Sequence, residues 1–168
     1  MSLSPVERLT LANQYRIMAK LYSESESTYS RWADELERGY ESFYNDIFQD
    51  IEDPLPEEES KFVLDVLGMY QVLQNSATNL SQVDQQALAT KGLAFPGFDG
   101  NDHTEVRYLG FVRHAVEKRN LFTGLKSDSS DYNSHFPTLN SYRVRLERWK
   151  NMMTRYLDFG PSTLCPAA

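Results

Sequence analysis

The chain has 168 residues, of which 40% are hydrophobic and 24% charged, and this composition is typical of a globular domain rather than a disordered or fibrous chain. Its net charge of −7 argues against general nucleic-acid binding, and no apolar run reaches the ~20 residues that cross a bilayer, so we expect no membrane partner. The single cysteine, Cys165, excludes a disulfide within the chain, and the N-terminus has no secretory pattern, which together predict a cytoplasmic protein.

The first third of the chain predicts three helices. Ser4 to Glu7 has the spacing of a capping box, with Pro5 at the first helical position, so a helix should run to about Leu21. Its buried face should carry Leu11, Tyr15, Met18 and Tyr22. A second helix is predicted over about 26–38, ended by Gly39 with a positive φ, and a short third helix over 40–48.

Polar residues interrupt the apolar faces of the first two helices. They are Asn13, Gln14, Glu37 and Arg38. Buried polar groups are generally hydrogen-bonded, so we expect these residues to fix helix-to-helix packing. A polar pocket between the two helices is the alternative interpretation.

Residues 50–59 form the best candidate boundary, because they contain Pro54, Pro56 and six acidic residues. The last three acids, Glu57–Glu59, fit the first turn of a fourth helix, where the helix dipole favours negative charge. That helix should reach about Asn79. It should bury Phe62, Val66, Met69, Leu73 and Ala77. We therefore predict one domain over 1–158 with a sub-boundary near 50–59, and a flexible tail over 159–168.

The second half predicts further helices separated by polar loops. A short helix is expected over 81–88, a longer one over about 102–119, and the last from Pro137 to about 157. The face of the last helix should carry Tyr142, Leu146, Trp149, Met153 and Tyr156. No period-2 strand pattern of any length occurs. The fold class is therefore predicted as all-α, a compact bundle of about six or seven helices.

The segment from Phe98 to Phe111 concentrates the close-set polar residues of the chain. We predict candidate binding residues at Asp99, Asn101, His103, Glu105, Arg107 and Tyr108. A structural interpretation competes with this: Asp99 can bond nearby amides, Gly100 can adopt a positive φ, and Asp102 with Glu105 has capping-box spacing.

We expect no metal and no cofactor in this segment. Asp99, Asp102, His103 and Glu105 offer metal ligands, but residues 102, 103 and 105 point in different directions around a helix. None of the three histidines has a nucleophile at a catalytic spacing, and the glycines fit no phosphate-binding loop, so no catalytic residue is predicted. His135 is expected to satisfy the free amides at the start of the last helix.

Four segments, in order, resemble the bacterial YfbU family over about residues 3–157. They are Leu9–Tyr15, Leu36–Tyr40, Phe98–Asp99 with Arg107–Arg113, and Tyr142–Trp149. The resemblance implies an all-α, cytoplasmic protein of a family without assigned catalytic residues, so no functional residue is carried over.

The aromatic content favours an interaction module. Aromatic residues make up 12% of the chain and include Trp32, Trp149 and ten tyrosines, residue types that suit interfaces. We predict a non-enzymatic interaction or regulatory module that self-associates as a homodimer or larger assembly and binds a protein partner. The alternative is a small-molecule-binding protein or enzyme that uses the loop over 95–107. Nucleic-acid binding through the basic last helix is a weaker alternative.

Overall fold

The computed structural model describes residues 2–82, 84, 85 and 92–159, and within these ranges the chain forms helices and no strand. The α-helices are α1 (Pro5–Leu21), α2 (Glu26–Arg38), α3 (Tyr44–Phe48), α4 (Glu57–Thr78), α5 (Glu105–Arg113) and α6 (Leu139–Phe159). Two isolated bridges join Phe95 to Ser127 and Phe98 to Asn133. The all-α prediction is confirmed.

Local capping signals place the ends of the first two helices as predicted. The Ser4 hydroxyl accepts from the Glu7 amide and the Glu7 carboxylate accepts from the Ser4 amide, which completes the capping box. The pKa of Glu7 lies below its usual value because Ser4 donates to the carboxylate through its hydroxyl and amide. At the C-terminus of α2, Gly39 ends the helix with a φ of 71°.

The chain forms two compact units, Met1–Pro54 and Leu55–Ala168. The division falls inside the acidic, proline-containing segment at 50–59. In the first unit, α1 packs against α2 through small buried residues, including Ala12 and Ala33, which allow the helices to approach closely. Leu36, Tyr44 and Ile47 complete this core.

An arginine that the sequence analysis did not select links α1 to α2. The Arg16 guanidinium contacts the carboxylates of Asp34 at 2.5 Å and Glu37 at 2.9 Å. Asn13 and Gln14 are exposed, as is Arg38, so the expectation that they are buried and fix the packing of α1 against α2 was wrong. The polar link between these helices runs along their solvent-facing edge.

The second unit has its own core, in which α4, α5 and α6 surround a cluster of aromatic side chains. Phe95 and Phe98 come from the loop before α5, and their rings contact Tyr142 of α6 at centroid distances of 5.9 and 5.2 Å. The buried amide of Gln74 ties α4 to two loops, donating to the carbonyls of Leu93 and Lys126. The oxygen of the same amide accepts from the Lys126 amide at 2.7 Å, so both polar atoms of the Gln74 side chain are hydrogen-bonded.

Two helix starts differ from the predicted positions. The α-helix α5 begins at Glu105 rather than near 102, because the Asp102 carboxylate accepts from the amides that precede and open it. It continues as a π-turn over His114–Lys118. The last helix, α6, begins at Leu139 rather than Pro137, and its first helical bond runs from the Tyr142 amide to the Thr138 carbonyl.

Some predictions fall outside the described residues. The short helix predicted over 81–88 includes positions that the structure does not describe. Cys165 and the predicted tail beyond Phe159 lie outside the described residues. Among the helices that the structure describes, none combines the length and apolarity needed to span a bilayer.

Candidate functional site

Glu105 is the buried centre of the polar cluster, with 2% of its surface exposed. Its carboxylate accepts hydrogen bonds from the Leu139 amide at 2.9 Å and from the Asp99 amide at 2.9 Å. Thr138 donates to it twice, through its amide at 2.9 Å and its hydroxyl at 2.7 Å. A carboxylate from α5 thus caps the N-terminus of α6, where free amides and the helix dipole favour negative charge.

This cap replaces the one predicted from His135. The His135 side chain is exposed, and its backbone has a positive φ of 57°. The prediction that His135 satisfies the amides at the start of the last helix was wrong, because Glu105 occupies that place.

The neighbouring acids form local turns. One oxygen of Asp99 accepts from the amide and the side-chain nitrogen of Asn101, at 3.0 and 3.1 Å, which is the turn predicted for it. Asp102 accepts from the amides of Thr104 and Glu105, both at 2.9 Å. Glu105 reaches across to Thr138 instead of returning to Asp102, so the reciprocal half of the predicted capping box was wrong.

A glycine other than the predicted one adopts the positive φ in this loop. Gly97 has a φ of 97°, and a Cβ there would lie 2.0 Å from the Tyr132 carbonyl oxygen. Gly100 does not have a positive φ, but a Cβ there would lie 2.7 Å from the side chain of Asn133. The prediction that Gly100 has a positive φ was therefore wrong. Its lack of a side chain instead permits close packing against Asn133.

Tyr142 closes the cluster from α6. Its hydroxyl donates to the Gly97 carbonyl at 2.6 Å. Burial raises the pKa of Tyr142 far above its usual value. A neutral, hydrogen-bonded tyrosine in this position fixes the loop to the helix rather than serving as an acid or base.

The other candidate binding residues lie at different depths. His103 and Asn101 are exposed, Arg107 is half-buried, and Tyr108 is buried. Burial raises the pKa of Tyr108, and the Glu59 carboxylate raises it further. The binding role of these six residues stays a prediction. Because four donors saturate Glu105 and turns occupy Asp99 and Asp102, the geometry favours the structural interpretation of the cluster.

Metal ligands do not gather within the described ranges. No group of three or more His, Cys, Asp or Glu side chains there is arranged to hold a metal ion. The carboxylates that offered ligands in the sequence are directed at backbone amides instead.

The basic residues of α6 separate onto two sides. At 100° per residue, Arg143 and Lys150 share one side, and Arg145, Arg148 and Arg155 share another. Lys150 is neutralised by Asp65 at 2.5 Å. One of the two cations on the first side is therefore neutralised. The five basic residues do not form one continuous stripe along α6.

A second apolar face on α1 was missed by the sequence analysis. Four large side chains project to solvent along this helix, with exposed fractions of 73%, 59%, 60% and 70% for Val6, Leu9, Ile17 and Leu21. We call these four residues the outer α1 stripe. The spacing of these four residues would have indicated the stripe. The predicted buried face of Leu11, Tyr15, Met18 and Tyr22 lies on the opposite side, where Leu11 and Tyr15 pack against the core of the first unit. Tyr22 is 48% exposed, so its assignment to the buried face was wrong.

Comparison with known proteins identifies the family. A model of the YfbU domain matches residues 1–159. The chain belongs to the YfbU family. It is similar to the UPF0304 protein MJECS11 of Methanocaldococcus jannaschii, with 38% identity over 159 residues, which cover 93% of this chain and 92% of that protein. The predicted resemblance is thereby confirmed, and the YfbU domain spans both compact units described above.

Proposed function

We propose that the protein is a non-enzymatic interaction module that forms a homodimer through the outer α1 stripe. The observation that carries the proposal is the exposure of four large aliphatic side chains on one helix. Monomeric proteins expose single hydrophobic residues routinely, but several large ones on one side of a helix are typical of an interaction surface. We expect this function in the cytoplasm, where a chain with one cysteine needs no disulfide.

The four side chains lie on one side of the helix. At 100° per residue, positions 6, 9, 17 and 21 fall within an arc of about 120°. Buried Ala12 and Ala19 lie on the other side of α1, where the helix contacts α2. An α-helix that is apolar on two sides is stable when both sides are covered. The first side is covered within the chain, and a partner helix would cover the second.

A second copy of α1, running antiparallel, fits the sequence of the stripe. A two-fold axis near residues 13 and 14 sets Val6 opposite the partner's Leu21, and Ile17 opposite the partner's Thr10. The same register brings Glu7 at the start of one helix towards the partner's Lys20 near the end of the other. Helix dipoles also favour the antiparallel arrangement. The register therefore places the two apolar ends of the stripe, Val6 and Leu21, against each other.

Asn13 lies at the centre of this register. It is exposed and lies between Leu9 and Ile17 on the same side of the helix. An asparagine side chain both donates and accepts hydrogen bonds, so two copies can pair across a two-fold axis. A single asparagine in an apolar helix interface is a known device for fixing register and the number of helices. Its position supports a dimer over a larger assembly.

The mass of the protein in solution tests the proposal. The monomer has a mass of 19.4 kDa, so light scattering at about 50 μM should give twice that value for the wild type. Ile17→Glu places a charge in the stripe and should return the mass to that of the monomer, with unchanged helix content.

Val144→Glu is the matched control, because Val144 is an exposed aliphatic residue on a different helix, α6. It should leave the dimer intact. A monomeric wild type contradicts the proposal. Dissociation by both variants to the same extent also contradicts it, because the effect would then not belong to α1.

A further inference from the structure

An open groove lies between α4 and α6 in the second unit. Its volume is about 310 Å³, which is the lower end of the range of small-molecule sites. Its apolar lining comes from Met69, Leu73, Leu93, Trp149 and Met152. None of the predicted binding residues in the polar cluster around Glu105 lines the groove.

The floor of the groove is buried and carries one polar group, the Tyr70 hydroxyl. Met69 and Tyr70 are both buried. The Tyr70 hydroxyl accepts a hydrogen bond from the Arg145 guanidinium at 2.6 Å. This contact holds the Arg145 guanidinium at the edge of the apolar surface. A guanidinium has five N–H donors, so the others remain available to another acceptor.

A second arginine stands one turn further along the helix. Arg148 lines the groove with Arg145, and both lie on the same side of α6 as Trp149 and Met152, within an arc of about 100°. Trp149 is half-buried and Met152 is exposed, so the aromatic ring and the thioether are accessible beside the two cations.

Among the residues that the structure describes, no carboxylate forms an ion pair with Arg145 or Arg148. The ion pairs in the described part of the chain involve Arg16, Lys20, Arg113 and Lys150 as cations. The charge of Asp128 acts on the Tyr70 hydroxyl, but Asp128 does not line the groove. In a chain with a net charge of −7, two unneutralised arginines beside an apolar surface are charge-complementary to an anionic ligand.

We propose that this groove binds a small carboxylate with an apolar body, of about ten to fifteen non-hydrogen atoms. The apolar part contacts Leu73, Trp149 and Met152, and the carboxylate accepts hydrogen bonds from Arg145 and Arg148. Guanidinium groups match carboxylates in geometry and form strong charge-assisted hydrogen bonds. The volume of the groove sets the size limit. The site is independent of the proposed dimer interface on α1.

Decanoate, used below its micelle concentration, is the probe. The chain has two tryptophans, Trp32 in α2 and Trp149 in α6, so an ¹⁵N correlation spectrum contains two indole N–H signals. We expect decanoate to shift the Trp149 signal in a saturable manner and to leave the Trp32 signal unchanged. Decanol, which has the same chain without the charge, should bind at least about tenfold more weakly, since a charge-assisted hydrogen bond contributes about that factor.

Arg148→Gln and Arg145→Gln should each weaken decanoate binding by about tenfold. Arg143→Gln is the matched control, because Arg143 lies on α6 and outside the lining of the groove, and it should bind as the wild type does. The absence of a saturable Trp149 shift at millimolar decanoate overturns the proposal. So does equal binding of decanol, or a simultaneous shift of both indole signals.

The Ile17→Glu variant separates this proposal from the dimer proposal. If the variant is monomeric and still shows the Trp149 shift, both proposals stand. If the wild type is a monomer and shows the shift, only the dimer proposal fails.

Discussion

At the scale of single residues, Glu105 has the largest structural role in the polar cluster. Its carboxylate is the common acceptor for donors from Asp99, Thr138 and Leu139, which lie on two separate segments. Burying a charge is costly unless hydrogen bonds replace its hydration, and here the donors do so. Without the carboxylate, the same donors would be left buried and unpaired. The carboxylate and its donors therefore each need the other to be buried without a loss of hydrogen bonds.

Glu105→Ala should destabilise the second unit by about 3 kcal/mol, because several buried donors lose their acceptor at once. Urea denaturation followed by circular dichroism measures the loss. Asp102→Ala is the control: Asp102 is exposed and caps only its own helix, so its removal should cost about 1 kcal/mol. A loss below that of Asp102→Ala would show that Glu105 is not the central acceptor.

At the scale of elements, the loop over 92–104 depends on glycine in a way that the helices do not. Gly97 combines a φ of 97° with a backbone carbonyl in the place of a Cβ, so two separate constraints exclude a side chain. Gly110 is in the middle of α5, is exposed, and has open space where its Cβ would be. The two glycines therefore predict opposite effects of the same substitution.

Gly97→Ala should destabilise the protein by about 3 kcal/mol, from backbone strain and the collision with Tyr132. Gly110→Ala should stabilise it by about 0.5–1 kcal/mol, because alanine restricts the unfolded chain and favours the helix. Thermal unfolding of both variants measures the difference. Equal effects in the same direction would contradict the assignment of strain to Gly97.

The elements also show how far the sequence alone could lead. The ends of α1 and α2 were predictable because Ser4, Glu7 and Gly39 act within a few residues of the helix ends that they fix. The cap on α6 was not, because Glu105 and Thr138 are 33 positions apart and only the fold brings them together. Local spacing correctly assigned Asp102 as a cap and wrongly assigned Glu105 to the same turn.

A similar limit applied to the candidate surfaces. The apolar positions of α1 lie on two sides, and a single-chain pattern does not say which side the protein covers. The hydrophobic periodicity of the sequence could not predict the groove between α4 and α6 either, because Tyr70 and Arg145 are 75 positions apart and meet only in the folded chain. The arginines of α6 were visible in the sequence, but which of them carry unpaired charge was not.

At the scale of the whole molecule, charge is distributed unevenly along the chain. Residues 1–68 hold 15 acidic and 6 basic residues, for a net charge of −9, and residues 69–168 hold 9 acidic and 11 basic residues, for +2. This asymmetry offers a second physical route to self-association, in which the acidic half of one copy attracts the basic half of another. The outer α1 stripe offers a route that depends on apolar burial. The two routes respond differently to salt.

We expect the dissociation constant of the homodimer to change by less than about threefold between 0.05 and 0.5 M NaCl, as measured by analytical ultracentrifugation. Apolar burial is insensitive to screening, and the Glu7 and Lys20 side chains that flank the stripe are exposed, so their attraction contributes little. Association through the charged halves would weaken by more than about tenfold over that range, because screening acts on every exposed pair. Dimerisation through α1 should also show a negative heat-capacity change, the signature of apolar surface leaving water.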